Sequence, residues 1–173
     1  VQYEDHDANG SNTRSNSGSA YIFENVNGTW YQRKKIVASD RAENDYFGNS
    51  VAISGNYAIV GAHAEDPNGL GEAVSAYIFE RDTNGTWNQK PKLVASDKQA
   101  SDNFGYSVDI SGNYAIVGAY KEDPDNIGDA GSAYIFERDM SGNWSQKQKI
   151  VATDKQGSDN FGYSVSIDGS YFI

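Results

Sequence analysis

Pairs of aspartates recur along the sequence and are the residues best suited to acid–base chemistry. They are Asp40 with Asp45, Asp97 with Asp102, and Asp154 with Asp159. Two carboxylates on either side of a glycosidic bond are what the hydrolysis of sugars requires. A catalytic centre is normally built once, however, whereas this pair occurs three times. The recurrence favours a structural role, with aspartate capping a turn, over an enzyme that acts on polysaccharide.

A second acidic pattern could bind a hard cation such as calcium. Oxygen-bearing side chains stand at the first, third and seventh positions of two glycine-containing segments: Asp66, Asn68 and Glu72, then Asp123, Asp125 and Asp129. Calcium prefers carboxylate and carbonyl oxygens as ligands, and glycine permits the sharp turn that such a loop needs. The alternative is a polar turn in which aspartate accepts hydrogen bonds from nearby backbone N–H groups. Calcium is therefore the candidate cofactor, and both interpretations stay open.

Composition excludes several other classes of function. The net charge of −10, from 24 acidic against 14 basic residues, would repel the phosphates of nucleic acids and anionic lipid surfaces. The sequence contains no cysteine, which rules out disulfides, thiolate metal sites and cysteine nucleophiles. It has no apolar run of the roughly 20 residues that a membrane helix needs. We also find no nucleophile elbow, phosphate-binding loop or zinc motif.

An internal repeat with a period of 57 residues organises the whole chain. Its markers are Trp30, Trp87 and Trp144, and the Phe-Gly pairs that begin at Phe47, Phe104 and Phe161. The run Ser-Ala-Tyr-Ile-Phe also occurs three times. We expect a single segment over 1–173 with three repeats, at about 19–74, 75–131, and 132–173 completed by 1–18. Such periods indicate a fold built from stacked repeats.

Each repeat is predicted to contain four strands, which we name A, B, C and D. In the last fully present copy they cover 104–110, 114–119, 132–136 and 144–151. Strand B is almost wholly apolar, as in a strand buried on both faces, whereas strand D carries Lys and Gln like an outer edge. In D, alternation places Trp144, Gln146, Gln148 and Ile150 on one face. Four antiparallel strands repeated radially form the blades of a β-propeller, so the fold class is all-β.

The conserved order of motifs within each copy resembles a known family. Phe104-Gly105 followed by Gly118-Ala119-Tyr120 is similar to the FG-GAP repeat of integrin α-subunit propellers and bacterial surface proteins, in its short bacterial form. The resemblance implies a propeller that is secreted or displayed on the cell surface, in a bacterium. Integrin-type repeats also carry an aspartate-rich calcium loop between strands A and B. Here that place holds only short turns such as Ser111-Gly112-Asn113, so that metal site is not implied.

Alternation of strand direction predicts two unlike faces for the disc. The A–B and C–D turns are short, whereas the long, acidic B–C and D–A loops emerge together on what we call the loop face. We expect a non-catalytic binding or adhesion module that uses this face, with the paired aspartates listed above, for a glycan or protein partner. Surface aromatic residues could stack on sugars, but the repeated tryptophans are expected to pack between blades.

Three blades do not close a propeller ring, which typically has four to eight. We therefore expect further blades as partners, supplied either by other copies of this chain or by a longer chain. The sequence stops halfway through a strand B and starts near the other half of one, so that joining Ile173 to Val1 keeps the repeat in register. This predicts the alternative function, a structural repeat unit of a self-assembling oligomer or filament.

Overall fold

The computed structural model of the protein describes residues 3–11, 13–63, 75–99 and 101–173. Within these ranges the regular structure is β apart from one short 3₁₀ helix at Pro124–Asn126. The strands are β1 (Ala20–Val26), β2 (Thr29–Ile36), β3 (Phe47–Ser54), β4 (Tyr57–Ala62), β5 (Ser75–Arg81), β6 (Trp87–Gln89), β7 (Phe104–Ser111), β8 (Tyr114–Ala119), β9 (Ser132–Arg138), β10 (Trp144–Ile150), β11 (Ile167–Asp168) and β12 (Tyr171–Phe172). The described residues form no helix that is long and apolar enough to span a membrane.

These strands form two complete propeller blades and two half-blades. The first complete blade is the antiparallel sheet β3-β4-β5-β6, and the second complete blade is β7-β8-β9-β10. The N-terminal half-blade is β1-β2, which corresponds to strands C and D. The C-terminal half-blade is residues 161–173 with β11-β12, which corresponds to strands A and B. The predicted all-β fold of propeller blades is confirmed, and the described blades do not close a ring.

Burial falls from the middle of each blade towards its outer edge. Strands β4 and β8 are buried along almost their whole length, as the apolar composition of strand B predicts. Strand β2 is exposed along most of its length, and β10 is exposed or half-buried throughout, because each forms an outer edge of a sheet. Charged side chains on these edges discourage pairing with foreign strands.

Strand D departs from the predicted simple alternation. In β10, Gln146 lies opposite Phe136 but Gln148 lies opposite Ile135, so Lys147 forms a β-bulge. The bulge reverses the order of the side chains that follow, and Lys149 rather than Gln148 shares a face with Gln146. The prediction that Gln148 and Ile150 share the face of Trp144 is therefore wrong. An insertion of one residue is invisible to a pattern of period two.

The hydrophobic core lies between blades. One cluster joins Ile59 and Ile78 of the first complete blade to Val108, Val117 and Phe136 of the second. Similar clusters join the N-terminal half-blade to the first complete blade and the second complete blade to the C-terminal half-blade. Each blade is thus stabilised mainly by the burial of apolar surface on its neighbours.

The predicted packing of tryptophans between blades holds where a preceding blade is present. Trp87 is 9% exposed within the cluster that joins the first complete blade to the N-terminal half-blade. The ring of Trp144 packs on Tyr57 of the preceding blade, with 6.1 Å between ring centroids. Trp30 has no such neighbour among the described residues and is 66% exposed.

The repeated glycines allow neighbouring blades to approach closely. A Cβ atom on Gly61 would collide with the backbone carbonyl oxygen of Gly105 in the next blade. A Cβ atom on Gly118 would collide in the same way with the carbonyl oxygen of Gly162. Gly105 and Gly162 themselves have φ near +86°, at 87° and 85°, a conformation that favours glycine. The Gly-Ala segment of one blade therefore packs against the Phe-Gly segment of the next blade.

Candidate functional site

The B–C and D–A loops lie side by side on the loop face, as strand direction predicts. Three backbone hydrogen bonds join the loops of the second complete blade: Ser158 N to Gly128 O at 2.9 Å, Asn160 N to Asp129 O at 3.0 Å, and Phe161 N to Ala130 O at 2.9 Å. Three bonds in the same arrangement join residues 44–47 to residues 15–17. The loops thus form a braced surface.

In two of the three pairs, the first aspartate binds the blade that follows it. Asp40 accepts hydrogen bonds from the Lys92 ammonium at 2.8 Å and the Tyr77 hydroxyl at 3.0 Å. Burial alone would raise the pKa of Asp40, but the Lys92 ammonium and the Tyr77 hydroxyl outweigh burial and lower the pKa. Asp97 is held by Lys149 at 2.8 Å and by Tyr134 at 3.0 Å, and its pKa is lowered for the same reasons.

The contact of Asp97 extends into a buried polar network. Lys149 also donates to the carboxylate of Glu122 at 2.7 Å, and Glu122 is only 2% exposed. The hydroxyl of Ser132 donates to the other oxygen of Glu122. Burial would lower the pKa of Lys149, but its bonds to Asp97 and Glu122 outweigh burial and raise the pKa. One lysine therefore compensates two carboxylates, and loss of its charge should be costly.

The second aspartate of each pair caps the turn of its own loop. Asp45, Asp102 and Asp159 accept hydrogen bonds from the backbone N–H groups of Ala42, Gln99 and Gln156, at 2.5, 2.8 and 2.6 Å. Asp45 and Asp102 are buried, whereas Asp159 is exposed. Within each pair the two carboxylates thus make different contacts, and Asp154 has no ion-pair partner among the described residues.

Burial makes Asp102 an unusually weak acid. It is the main cause that raises the pKa of Asp102 to about 6. The hydrogen bond from the Gln99 N–H group lowers this pKa, whereas the charges of Glu122 and Asp97 raise it further. Because the pKa is raised above its value of about 3.9 in the unfolded chain, the folded state binds the proton more tightly. The contribution of Asp102 to stability therefore grows as pH falls from 7 towards 4.

We expect Asp102→Asn to remove this pH dependence. The difference in the free energy of unfolding, wild type minus variant, should rise by about 1 kcal/mol between pH 7 and pH 5. Urea unfolding at several pH values measures that difference. Asp159→Asn is the matched control, since Asp159 makes the same bond in an exposed loop. A difference that is constant with pH, or that is equal for both variants, would contradict the assignment.

The described B–C loop does not bring its acidic side chains together. Asp123 accepts a hydrogen bond from the backbone N–H of Asp129 at 2.7 Å, which closes the loop. Asp125 pairs instead with Lys155 of the neighbouring D–A loop at 3.0 Å. Within the described ranges, no group of three or more His, Asp or Glu side chains could hold a metal ion. Asp66, Asn68 and Glu72 lie outside the described residues, so calcium there stays a prediction.

A row of aromatic rings on the loop face was not predicted as a site. The aromatic row comprises Tyr46, His63, Tyr106, Tyr120 and Tyr163. Its members stand just before strand A, just after strand B, or on the third residue of a Phe-Gly motif. Neighbouring ring centroids are 4.7 to 5.7 Å apart. The recurrence of an aromatic residue after Gly-Ala, as in His63 and Tyr120, was the signal available in the sequence.

The centre of the aromatic row is held together by hydroxyl groups as well as ring contacts. Tyr106 donates a hydrogen bond to the hydroxyl of Tyr163 at 3.0 Å. This bond, followed by burial, raises the pKa of Tyr106 to about 12. Tyr120 contacts both rings, and Tyr163 is exposed. The row therefore offers fixed aromatic surface and hydroxyl groups to solvent.

Comparison with known proteins assigns the repeat. The family model described as the FG-GAP repeat matches residues 30–79, 87–136 and 144–173, which is most of the chain. No curated protein was found to be significantly similar to the chain. FG-GAP repeats generally occur in extracellular modules of the adhesion type, and the family is typically non-enzymatic. The family model and the blades agree, and the chain belongs to the FG-GAP repeat family.

Proposed function

We propose that the protein is a non-catalytic, extracellular binding module whose loop face recognises a glycan. The observation that carries the proposal is the aromatic row. Aromatic rings supply a large apolar contact surface, and tyrosine adds a polar group at the edge of that surface. A sugar ring has a similar character, because it combines a C–H face with peripheral hydroxyl groups. The proposal includes secretion or display on a bacterial cell surface.

The row is suited to recognition because its rings are already fixed. Tyr46 stacks on His63 with 5.1 Å between centroids and 22° between planes. Tyr106 and Tyr163 are tied by their hydroxyl groups, and Tyr120 packs against both. Rings that are ordered before binding lose little conformational entropy when a ligand arrives, and this favours affinity.

Charge on the same face restricts the class of glycan. The B–C and D–A loops of this face carry exposed carboxylates, among them Asp125, Asp129 and Asp159. Carboxylates accept hydrogen bonds from sugar hydroxyls, and they repel sulfated or carboxylated sugars. A neutral glycan, or one that carries an amino group, is therefore the expected ligand. A basic protein surface is a second candidate, favoured by the net charge of −10.

The contacts of the paired aspartates support binding without catalysis. Asp97 is bonded to Lys149 and Tyr134, and Asp102 caps a backbone turn. Both carboxylates are thus occupied by the protein itself, and the same arrangement recurs at Asp40 and Asp45. A glycosidase needs its two carboxylates free to face one bond of the substrate.

A glycan array followed by calorimetric titration of the strongest neutral ligand tests the proposal. We expect Tyr120→Ala to weaken binding about tenfold, or roughly 1.4 kcal/mol, since it removes one ring and loosens two others. Tyr31→Ala, which removes an exposed tyrosine from outer strand β2, is the matched control. Equal binding by both variants, or no glycan binding by the wild type, would contradict the proposal. Binding of basic proteins alone would favour the second candidate.

A further inference from the structure

The face of strand β3 that points towards the N-terminal half-blade is apolar and uncovered. Val51 and Ile53 are 57% and 59% exposed, whereas their equivalents Val108 and Ile110 in β7 are 5% and 4% exposed. The difference arises because β7 packs on β3 and β4 of the preceding blade. Strands A and B of a preceding blade are therefore the elements that fit on β3.

A groove lies where those two strands would belong. It has a volume of about 440 Å³ and is lined by apolar side chains that include Ala20 and Ile22 of β1, Val51 and Ile53 of β3, and Ile59 of β4. The edge of β1 that faces the groove has no strand paired to it among the described residues. The corresponding edge of β5 is paired with β4 along six residue positions.

The C-terminal half-blade has the shape and sequence that the groove requires. It consists of strands A and B, and its Tyr171 and Ile173 are 84% and 89% exposed. Inside the first complete blade the pairs between strands B and C are Tyr57–Glu80, Ala58–Phe79 and Ile59–Ile78. The equivalent pairs between the C-terminal half-blade and β1 are Tyr171–Glu24, Phe172–Phe23 and Ile173–Ile22.

Charged and polar groups at the two surfaces are complementary in the same register. In both complete blades a lysine and a tyrosine bind the aspartate of the preceding D–A loop, as in Lys149 and Tyr134 with Asp97. Their equivalents in the N-terminal half-blade, Lys35 and Tyr21, contact no aspartate of a D–A loop among the described residues. Lys35 contacts Glu4, the counterpart of Glu122, at 3.6 Å. The third equivalent aspartate, Asp154, is exposed and has no ion-pair partner in the described part of the chain.

A further pair of side chains completes the match. Gln89 and Gln146 donate from their amides to the hydroxyls of Ser39 and Ser96 in the preceding loop, at 3.0 and 3.1 Å. The remaining equivalents are Gln32 and Thr153, and neither side chain has a hydrogen-bond partner among the described residues. Docking of the two surfaces would therefore reproduce three contacts of the interface between the complete blades, namely the apolar contact, the ion pair and the amide–hydroxyl bond.

We propose that a second copy of this chain docks its residues 153–173 on the N-terminal half-blade and β3 of the first. The docked segment supplies strands A and B, so that two half-blades form one complete blade by β-strand addition. Each copy then contributes three blades, and a closed pair has six, within the range found for propellers. This association does not require a glycan, although the docked segment contains Tyr163 of the aromatic row.

Cysteine cross-linking tests the predicted register, because the sequence has no cysteine of its own. In Phe23→Cys with Phe172→Cys, the two Cα atoms should lie opposite each other across an antiparallel pair, at a distance that a disulfide can span. We expect a disulfide-linked dimer on a non-reducing gel. Val26→Cys with Phe172→Cys moves one thiol three residues along the strand, and this control should cross-link much less.

Native mass spectrometry of the same variants and of Asp154→Lys decides between the possible occupants. We expect the wild type to form dimers. Asp154→Lys should raise the dissociation constant of the dimer at least tenfold, whereas Asp125→Lys should leave it almost unchanged. A wild type that stays monomeric at all concentrations would overturn the proposal. A disulfide that forms within one chain would also overturn it, since residues 153–173 would then pair with the N-terminal half-blade of the same chain.

Discussion

Gly61→Ala should destabilise the protein by about 3 kcal/mol, which is a large effect for the addition of one methyl group. The new Cβ atom would point directly at the backbone carbonyl oxygen of Gly105 in the next blade. A flexible side chain could move aside, but this carbonyl belongs to the backbone of β7, which pairs with β8 and packs on β3 and β4. The two blades must separate to relieve the collision, and their shared apolar cluster then loses contact.

Urea unfolding of Gly61→Ala against Gly128→Ala measures this effect under matched conditions. Gly128 lies in a B–C loop, and a Cβ atom there meets nothing within 4 Å. Its substitution should change the free energy of unfolding by less than about 1 kcal/mol. Equal destabilisation by the two substitutions would show that close contact between blades is not what the repeated glycine provides.

Lys149→Met should destabilise the protein by a similar amount, about 3 kcal/mol. Methionine keeps much of the apolar volume of lysine, so the loss reports on the ammonium group. Without that group, Glu122 and Asp97 share one site with no compensating charge, and Glu122 is almost fully buried. The lowered pKa of Asp97 places the stabilisation by Lys149 at neutral pH. The loss should therefore persist down to about pH 4 and shrink below it, as Asp97 gains a proton.

Lys147→Met is the matched control for this substitution. Lys147 lies in the same strand and pairs with Glu137 at 2.9 Å, but both groups are at the surface. Surface ion pairs contribute little, so the control should leave stability almost unchanged. Equal effects of the two substitutions at pH 7 would mean that the network around Glu122 does not stabilise the second complete blade.

Much of the fold could be predicted from the sequence because the repeat is so regular. The period of 57 residues gave the number of copies, and strand patterning within one copy gave four antiparallel strands close to their observed bounds. Where prediction failed, the cause was local. The bulge at Lys147 reverses a face, and Pro91, which lacks an N–H group, limits strand β6 to three residues.

The candidate site was harder to predict, because its features depend on which loops meet. The sequence drew attention to the aspartates, and the structure assigns Asp40 and Asp97 to contacts with the next blade and Asp102 to a turn. The aromatic row combines residues from three blades, such as Tyr46 and Tyr163, whose proximity no single repeat reveals. Sequence spacing identifies equivalent positions, but it does not show that their rings touch.

The most direct test of the binding site is to map a bound neutral glycan by the shifts of backbone amide resonances. If the loop face is the binding surface, the largest changes should fall at Tyr46, His63, Tyr106, Tyr120 and Tyr163 and in the adjoining B–C and D–A loops. The A–B turns at Gly55 and Gly112, on the opposite face, should change little. Changes concentrated at those turns or along the outer strands would contradict the assignment of function to the loop face.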